Sequence, residues 1–190
     1  MTAPDTSDED LAGRVQQGAR DAFGVLMDRY EPRILRYGRK FLSDTEDIKD
    51  LTQEIFIKAY VNIRSFDAER RFSPWLYRIA HNAFINHMRK KSPLRIFSFD
   101  LDALMPHATA PRRADQDADT ADMRRILDTA LSSLDAKYRE PLVLHYFEEM
   151  NYREIADIMR LPLSTVGVRL ARGKAMLSKV VGADKTILYG

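Results

Sequence analysis

A stripe of side chains suited to unpaired nucleic acid lies on one face of a predicted helix. Its start is signalled by Ser73-Pro74, a capping hydroxyl followed by a ring already set to helical φ. At about 100° per residue, one aromatic ring, two amides and two guanidiniums share this face: Trp75, Arg78, Asn82, Asn86 and Arg89. Rings stack on bases, amides bond base edges and cations meet phosphates. The stripe therefore predicts contact with single-stranded or opening nucleic acid; the alternative is a solvated basic face with a partly buried tryptophan.

A second candidate surface lies near the C-terminus. Residues 152–160 predict a short helix, 161–163 a tight turn and 164–180 a second helix capped by Ser164 or Thr165. The second helix carries arginines and lysines and no acid. This order predicts a helix-turn-helix, whose second helix lies in the major groove of DNA. The alternative is a generic helical hairpin with a solvated basic face.

Helices before these two surfaces are expected to position them. Residues 8–17 predict a short helix ended by Gly18, and 21–42 a longer one that Pro32 kinks or restarts. A capping box at residues 43–46 begins a third. Five apolar residues on one face of it predict a core stripe: Ile48, Leu51, Ile55, Ala59 and Ile63. Its opposite face is polar, with Ile57 and Val61 as weak signs of a second contact.

The pattern predicts an all-α protein of two small helical domains. The N-terminal domain covers residues 1–91, and a Pro-rich and Asp-rich linker follows at 92–120. The helix-turn-helix domain covers residues 121–182 and is followed by a tail at 183–190. Within the linker, the apolar run at 94–105 is expected to dock on the chain itself or on a partner. In the second domain, Asp135 is expected to cap a helix that Pro141 kinks or begins.

Composition excludes several kinds of site. The absence of cysteine rules out disulfides and thiolate chemistry. The four histidines form no metal-binding spacing, and no Gly-rich phosphate loop occurs. No apolar run approaches the length of a membrane span, and the N-terminus lacks a signal-peptide core. We therefore expect a soluble cytoplasmic protein that is not an enzyme, with no catalytic residue, metal, cofactor, small-molecule substrate or membrane insertion.

Three motifs in order resemble the sigma-70 family of bacterial transcription initiation factors, specifically its extracytoplasmic-function group. DLTQEIF at 50–56 is similar to the family's core-polymerase-binding helix, and FSPWLYRIAHN at 72–82 to its promoter-melting and downstream-element helix. Residues 134–177, with YREIA at 152–156, are similar to its upstream-element-binding domain. The resemblance covers most of the chain outside the linker and the two ends.

This resemblance implies a factor that binds core RNA polymerase, recognises two promoter DNA elements and helps to open the DNA. It implies polymerase contacts by Asp50, Gln53 and Glu54. It implies downstream-element and melting contacts by Phe66, Trp75, Arg78, Asn82, Asn86, Arg89 and Lys90, with the loop 65–71 holding an extruded base. It implies major-groove or phosphate contacts by Ser164, Thr165, Arg169, Arg172 and Lys174. An anti-sigma factor that silences the protein is a further expectation.

Three departures from the family pattern bear on these roles. Gly167 stands where a basic residue is usual, the turn at 160–162 lacks the usual glycine, and Trp75 is single where primary sigma factors have an aromatic pair. Trp75 is therefore open to a core role or a DNA role. Two other classes stay open at this point: a helix-turn-helix regulator that is not an initiation subunit, and an interaction protein with no DNA role.

Overall fold

The computed structural model describes residues 6–91 and 118–189, which contain eight α-helices, one 3₁₀ turn and no strand. The all-α prediction is confirmed. The helices form two compact units. The first contains α1 (Asp8–Gln16), α2 (Arg20–Arg39), α3 (Thr45–Asn62), the 3₁₀ turn Ile63–Ser65 and α4 (Phe72–Lys91). The remaining helices are α5 (Ala118–Ser133), α6 (Ala136–Tyr146), α7 (Tyr152–Met159) and α8 (Leu163–Tyr189), and the second unit contains them apart from residues 157–160.

Both ends of α1 follow from its sequence. The Ser7 hydroxyl accepts a hydrogen bond from the Asp10 amide at 3.0 Å, which satisfies one free donor of the first turn. After the helix, Gly18 takes a φ of +100°, a conformation that glycine reaches without strain. The predicted stop at Gly18 is therefore confirmed. In the next helix, α2 continues through Pro32 rather than restarting there.

The apolar stripe of α3 is buried as predicted. Its four members within α3, and Ile63 at the start of the 3₁₀ turn, are between 0% and 6% exposed. They form the face that packs against α2 and α4. The cap differs from the expectation, because Asp44 rather than Ser43 is the N-cap. Its carboxylate accepts from the amides of Glu46 at 2.9 Å and Asp47 at 3.3 Å. A carboxylate suits this position because it also meets the positive end of the helix dipole.

The start of α4 was predicted wrongly at Ser73-Pro74. The helix begins at Phe72, and Ser73 is buried at 5% exposure within its first turn. Glu9 of α1 takes the capping role from a distance, because its Oε1 accepts from the Phe72 amide at 2.8 Å. The side chain that completes this helix start therefore comes from 63 residues earlier in the chain.

In the second unit, the predicted cap at Asp135 is confirmed by a 3.1 Å bond from the Lys137 amide. Pro141 is buried inside α6, which neither begins nor ends there. The expected cap of the last helix is wrong, since α8 begins at Leu163 and places Ser164 and Thr165 in its first turn. This helix also runs to Tyr189, past the expected end near Val180. No proline follows Val180, and the one glycine in that stretch, Gly182, costs only about 1 kcal/mol.

The turn between α7 and α8 explains how a helix-turn-helix forms without its usual glycine. Arg160 adopts a φ of +54°, the left-handed conformation that normally favours glycine after a helix. The Leu161 amide then bonds the Ala156 carbonyl at 3.0 Å. Arginine tolerates this conformation at a modest cost, so the turn keeps its geometry. Residues 92–117 of the predicted linker, including its apolar run, lie outside the described residues. Its last three residues, 118–120, are the start of α5 rather than linker.

Two glycines of α8 predict opposite responses to alanine. A Cβ on Gly167 would meet only the Tyr152 ring, at 4.0 Å, so Gly167→Ala should stabilise the protein by about 0.5–1 kcal/mol. A Cβ on Gly173 would lie 3.0 Å from Leu142 Cδ1 and 3.1 Å from the Tyr138 carbonyl oxygen. Gly173→Ala should therefore destabilise the protein by about 1–3 kcal/mol. Thermal unfolding followed by circular dichroism checks both, and shifts of the same sign would contradict this packing.

Candidate functional site

The predicted stripe on α4 is one continuous surface. Arg78, Asn86 and Arg89 are exposed and Asn82 is half-buried. Lys90 is exposed beside them at the end of the helix. Among the described residues, no acid forms an ion pair with Arg78 or Arg89. Both guanidiniums are therefore available to an anionic partner along one helix face.

Trp75 has both an inner and an outer side. It is half-buried, and its ring centroid lies 5.5 Å from that of Phe66 and 5.6 Å from that of Phe72. The two phenylalanines meet edge to face at 5.4 Å. Trp75 thus anchors in the core by one side and presents the other to solvent, which is an arrangement that permits stacking on a base.

Phe66 is not placed as a DNA-facing residue. Only 5% of it is exposed, because it packs beneath the loop against Phe72 and Trp75. Its ring cannot stack on a base unless it leaves this cluster. The expected direct DNA role of Phe66 is therefore corrected to a supporting one.

The two asparagines differ in what they leave free. Asn82 donates its Nδ2 to the Arg78 carbonyl at 2.8 Å, so one of its amide hydrogens is used within the helix. Its carbonyl oxygen and second hydrogen remain for a ligand. The Asn86 side chain is exposed and makes no hydrogen bond within the described part of the chain. Asn86 therefore offers a complete amide to a base edge, and Asn82 part of one.

The loop 65–71 lies directly before α4 and forms its own tight turns. The Ser65 hydroxyl donates to the Asn62 carbonyl at 2.7 Å, and the Glu69 amide donates to the Asp67 carboxylate at 3.1 Å. Apart from Phe66, every residue of the loop is exposed. The loop therefore presents a shaped polar rim above a buried aromatic base.

The exposed face of α3 combines polar and apolar groups. Asp50, Gln53 and Glu54 are exposed as predicted. The same face continues with Ile57 and Val61, which are 64% and 72% exposed. Large aliphatic side chains this far out of a core are typical of surfaces that other proteins cover. The sequence pattern gave only a weak sign of them, since both lie off the buried stripe.

Asp47 fixes α3 to the far end of α4. Its carboxylate pairs with the Lys91 ammonium and lies 3.4 Å from His87 Nε2. The hydrogen bond from Lys91 holds the pKa of Asp47 below its ordinary value. This ion pair holds the basic end of α4, which carries Arg89 and Lys90, against the start of α3.

On α8, the candidate DNA residues lie on the outer side of the helix. Ser164, Arg172 and Lys174 are exposed, and Thr165 and Arg169 are half-buried. The inner side is held by Val166 and Leu170, at 0% and 4% exposure. An outward basic row on a helix whose other side is fixed in a core can lie along a DNA groove without unfolding.

The helix before this row is set by a reciprocal cap that the sequence analysis missed. Asn151 Oδ1 accepts from the Glu154 amide at 3.0 Å, and Glu154 Oε2 accepts from the Asn151 amide at 2.8 Å. The signal was present as a capping residue followed by Glu three positions later. This cap fixes where α7 begins.

Residues 6–91 and 118–189 contain neither a metal site nor a membrane span. No group of histidines and carboxylates in these ranges is placed to hold a metal ion. None of the helices described there is long and apolar enough to cross a membrane.

Comparison with known proteins points to one family. Residues 26–93 match the model of sigma-70 region 2, and residues 124–177 match that of sigma-70 region 4. The ECF RNA polymerase sigma factor SigW of Bacillus subtilis is 35% identical over 176 residues, which cover 87% of this chain and 92% of SigW.

Solved structures agree in fold. CnrH in complex with the cytosolic domain of CnrY is 27% identical, with a TM-score of 0.67, over 94% of this chain and 99% of CnrH. The sigma factor RpoE of Bartonella quintana, in complex with the anti-sigma factor NepR, is 22% identical with a TM-score of 0.64. It covers 85% of this chain and 98% of RpoE and supports the fold alone.

Proposed function

The chain belongs to the extracytoplasmic-function group of the sigma-70 family, and we propose that three surfaces on its two units divide the work of initiation. As a sigma factor it directs RNA polymerase to promoters and is not an enzyme. This membership favours initiation over the two alternatives, a helix-turn-helix regulator outside polymerase and an interaction protein with no DNA role.

The first surface is the outer face of α3, which binds core polymerase. Asp50, Gln53 and Glu54 supply charge and hydrogen bonds, and Ile57 and Val61 supply the apolar centre. Protein interfaces gain most from a few large side chains that become fully desolvated, with polar groups at the rim. This face is the observation that carries the proposal, because neither a groove-reading protein nor a solvated helix needs two exposed aliphatic residues beside three polar ones.

The second surface is the outer face of α4, which binds the downstream element as it opens. Arg78, Arg89 and Lys90 meet phosphates, and Asn82 and Asn86 bond base edges. The outer side of Trp75 stacks on an unpaired base while its inner side stays on Phe66 and Phe72. The loop 65–71 receives an extruded base above the same aromatic cluster.

The third surface is the outer row of α8, which binds the upstream element in duplex form. Ser164 and Thr165 lie in the first turn of the helix, where hydroxyls and backbone amides suit phosphate contacts. Arg169 and Arg172 are three residues apart, so they share a helix face that can follow the groove. Lys174, two residues past Arg172, is exposed on another side of the helix and is left to an outlying phosphate contact. With Gly167 in place of a basic residue, this helix depends more on those two arginines.

Single substitutions separate the roles of these arginines. If Arg169 reads a base edge, Arg169→Ala should cost about 1–3 kcal/mol of binding and relax selectivity at one base pair. If Arg172 holds a phosphate, Arg172→Ala should weaken all sequences alike and lower the salt slope by about one. Binding to a set of single-base variants at two salt concentrations checks both. Equal losses of selectivity, or none, would contradict the assignment.

Two further parts of the proposal concern the cellular setting. We place the protein in the cytoplasm, where its polymerase and promoters are. We also propose that an anti-sigma factor silences it by covering the DNA-binding and polymerase-binding surfaces. The similar chain CnrH was solved in complex with the cytosolic domain of CnrY, which supports a dedicated protein partner for this chain.

The direct test of the polymerase assignment is gel filtration of the full chain mixed with purified core polymerase. The chain should elute with polymerase at a one-to-one ratio in the absence of DNA. Elution of the chain at its free position, with DNA binding retained, would instead support the regulator class.

A further inference from the structure

The first helix makes polar contacts with both ends of the loop 65–71. Gln16 Nε2 donates to the Ile63 carbonyl at 2.8 Å and to the Phe66 carbonyl at 2.7 Å, just before and within the start of the loop. Glu9 Oε1 accepts from the Phe72 amide at 2.8 Å, at the end of the loop. These partners are separated in sequence by 47, 50 and 63 residues.

The two side chains are spaced to span the loop. Glu9 and Gln16 are seven residues apart, which places them on one face of α1, two turns and about 10.5 Å apart along its axis. Leu11, Ala12 and Val15 are buried and fix that helix in the core. Both bonds therefore start from a rigid support rather than from another loop.

The bonds add long-range constraints to a loop that also makes local, exposed ones. The Glu69 amide, for example, donates to the Asp67 carboxylate only two residues away. Gln16 uses both hydrogens of its amide nitrogen on backbone carbonyls, which fixes the peptide that carries the Phe66 ring. That ring is the base of the aromatic cluster under Trp75.

We infer that Gln16 and Glu9 are positioning residues that hold the loop 65–71 in the shape that receives an extruded base. The inference rests on the proposed function of that loop. The match to sigma-70 region 2 begins at residue 26, so α1 lies outside it. Since an extruded base is captured only if its pocket is already formed, preorganisation by α1 should appear as affinity for that base.

The test measures how much one base contributes to binding in each variant. The full chain is assembled with core polymerase, and a promoter is selected from a random DNA pool by the wild-type holoenzyme. A forked DNA with a single-stranded downstream element is made from it, and one abasic site is moved through that strand. With wild type, several positions should weaken binding because α4 also contacts bases, and the extruded base should do so about tenfold, the loss typical of one stacked base. The position of that base is the one whose penalty the loop variants change while the other penalties stay.

The variants should change that loss in a defined way. Gln16→Met keeps the side-chain volume but cannot donate a hydrogen bond to the loop. If the loop then holds the extruded base poorly, removing that base loses little, and the abasic penalty should shrink to about twofold or less. Glu9→Ala removes the acceptor at the other end of the loop and should also reduce the abasic penalty. Glu9→Gln can still accept from the Phe72 amide and should resemble wild type. The matched control is Ser7→Ala, which removes the α1 N-cap without touching the loop, and it should keep the tenfold penalty.

Each outcome decides the inference. The inference stands if Gln16→Met or Glu9→Ala reduces the abasic penalty while Ser7→Ala does not. If one of the two loop variants fails to fold, the result with the other variant decides. The inference is overturned if neither reduces the penalty, if Ser7→Ala reduces it equally, or if no position in wild type carries a penalty. Failure of the proposed function looks different, since the wild-type holoenzyme would then select no promoter.

Discussion

Replacing Ile57 and Val61 together with aspartate is expected to weaken binding to core polymerase at least about a hundredfold. Both side chains are more than half exposed and lie on the face that carries Gln53 and Glu54. If that face is buried in the complex, two new carboxylates lose their water with no partner placed to receive them. Because both side chains are exposed in the free protein, its own folding should change little.

Fluorescence anisotropy of the labelled chain titrated with core polymerase measures this effect. Gln53→Ala with Glu54→Ala is expected to cost less, about tenfold, because rim polar groups contribute less than desolvated apolar ones. Met27→Asp is the matched control, since Met27 is also an exposed apolar residue, at 37%, but lies on α2. Equal affinities for wild type and the Ile57, Val61 variant would remove this face of α3 from the docking surface.

Asn82→Ala with Asn86→Ala is expected to reduce opening of duplex promoters about tenfold or more while leaving initial binding nearly normal. Unpairing costs a few kcal/mol per base, and contacts made only by the unpaired strand must offset it. Asn86→Ala should have the larger single effect, because one amide hydrogen of Asn82 is already bonded to the Arg78 backbone carbonyl. Arg89→Ala should behave differently and weaken closed and open complexes together, since phosphates are present in both.

Permanganate reactivity of unpaired thymines, measured beside run-off yield, separates these steps. A template already mismatched across the opened region should restore part of the activity of the double variant, because the unpairing cost is gone. The assignment is contradicted if duplex opening is normal in the double variant or if its closed-complex affinity falls first.

The parts of the fold that the sequence predicted are those set by helical periodicity. Ile48, Leu51 and Ile55 share one side of α3 at a period of 3.6 residues, and all three are buried. The stripe on α4 also forms one outward face, because residues on a continuous helix keep their relative angles whatever packs against them.

Single residues outside that periodicity were predicted less well. Phe66 lies in a loop, where no spacing rule tells whether an aromatic ring faces solvent or core, and it is buried. The cap of α3 was assigned to Ser43 rather than Asp44, since adjacent capping residues compete and tertiary context decides between them. The start of α4 depends on Glu9, a contact that spans 63 residues and leaves no local pattern.

The loop supports show the same limit at the candidate site. Gln16 reads in sequence as an ordinary polar residue near a helix end, and only the packing of α1 brings its amide to the carbonyls of Ile63 and Phe66. The sequence could therefore predict which residues lie on the outer face of α4, but not which distant residues shape the loop beside them.

Run-off transcription with purified core polymerase tests the central claim most directly. The template carries a promoter selected by the holoenzyme from random DNA, and each reaction contains core polymerase with or without the full chain. The account predicts transcripts from one defined start site only when the chain is present, and their loss with the Ile57→Asp, Val61→Asp variant. Transcription no greater than that of core polymerase alone, on DNA that the chain nevertheless binds, would contradict it.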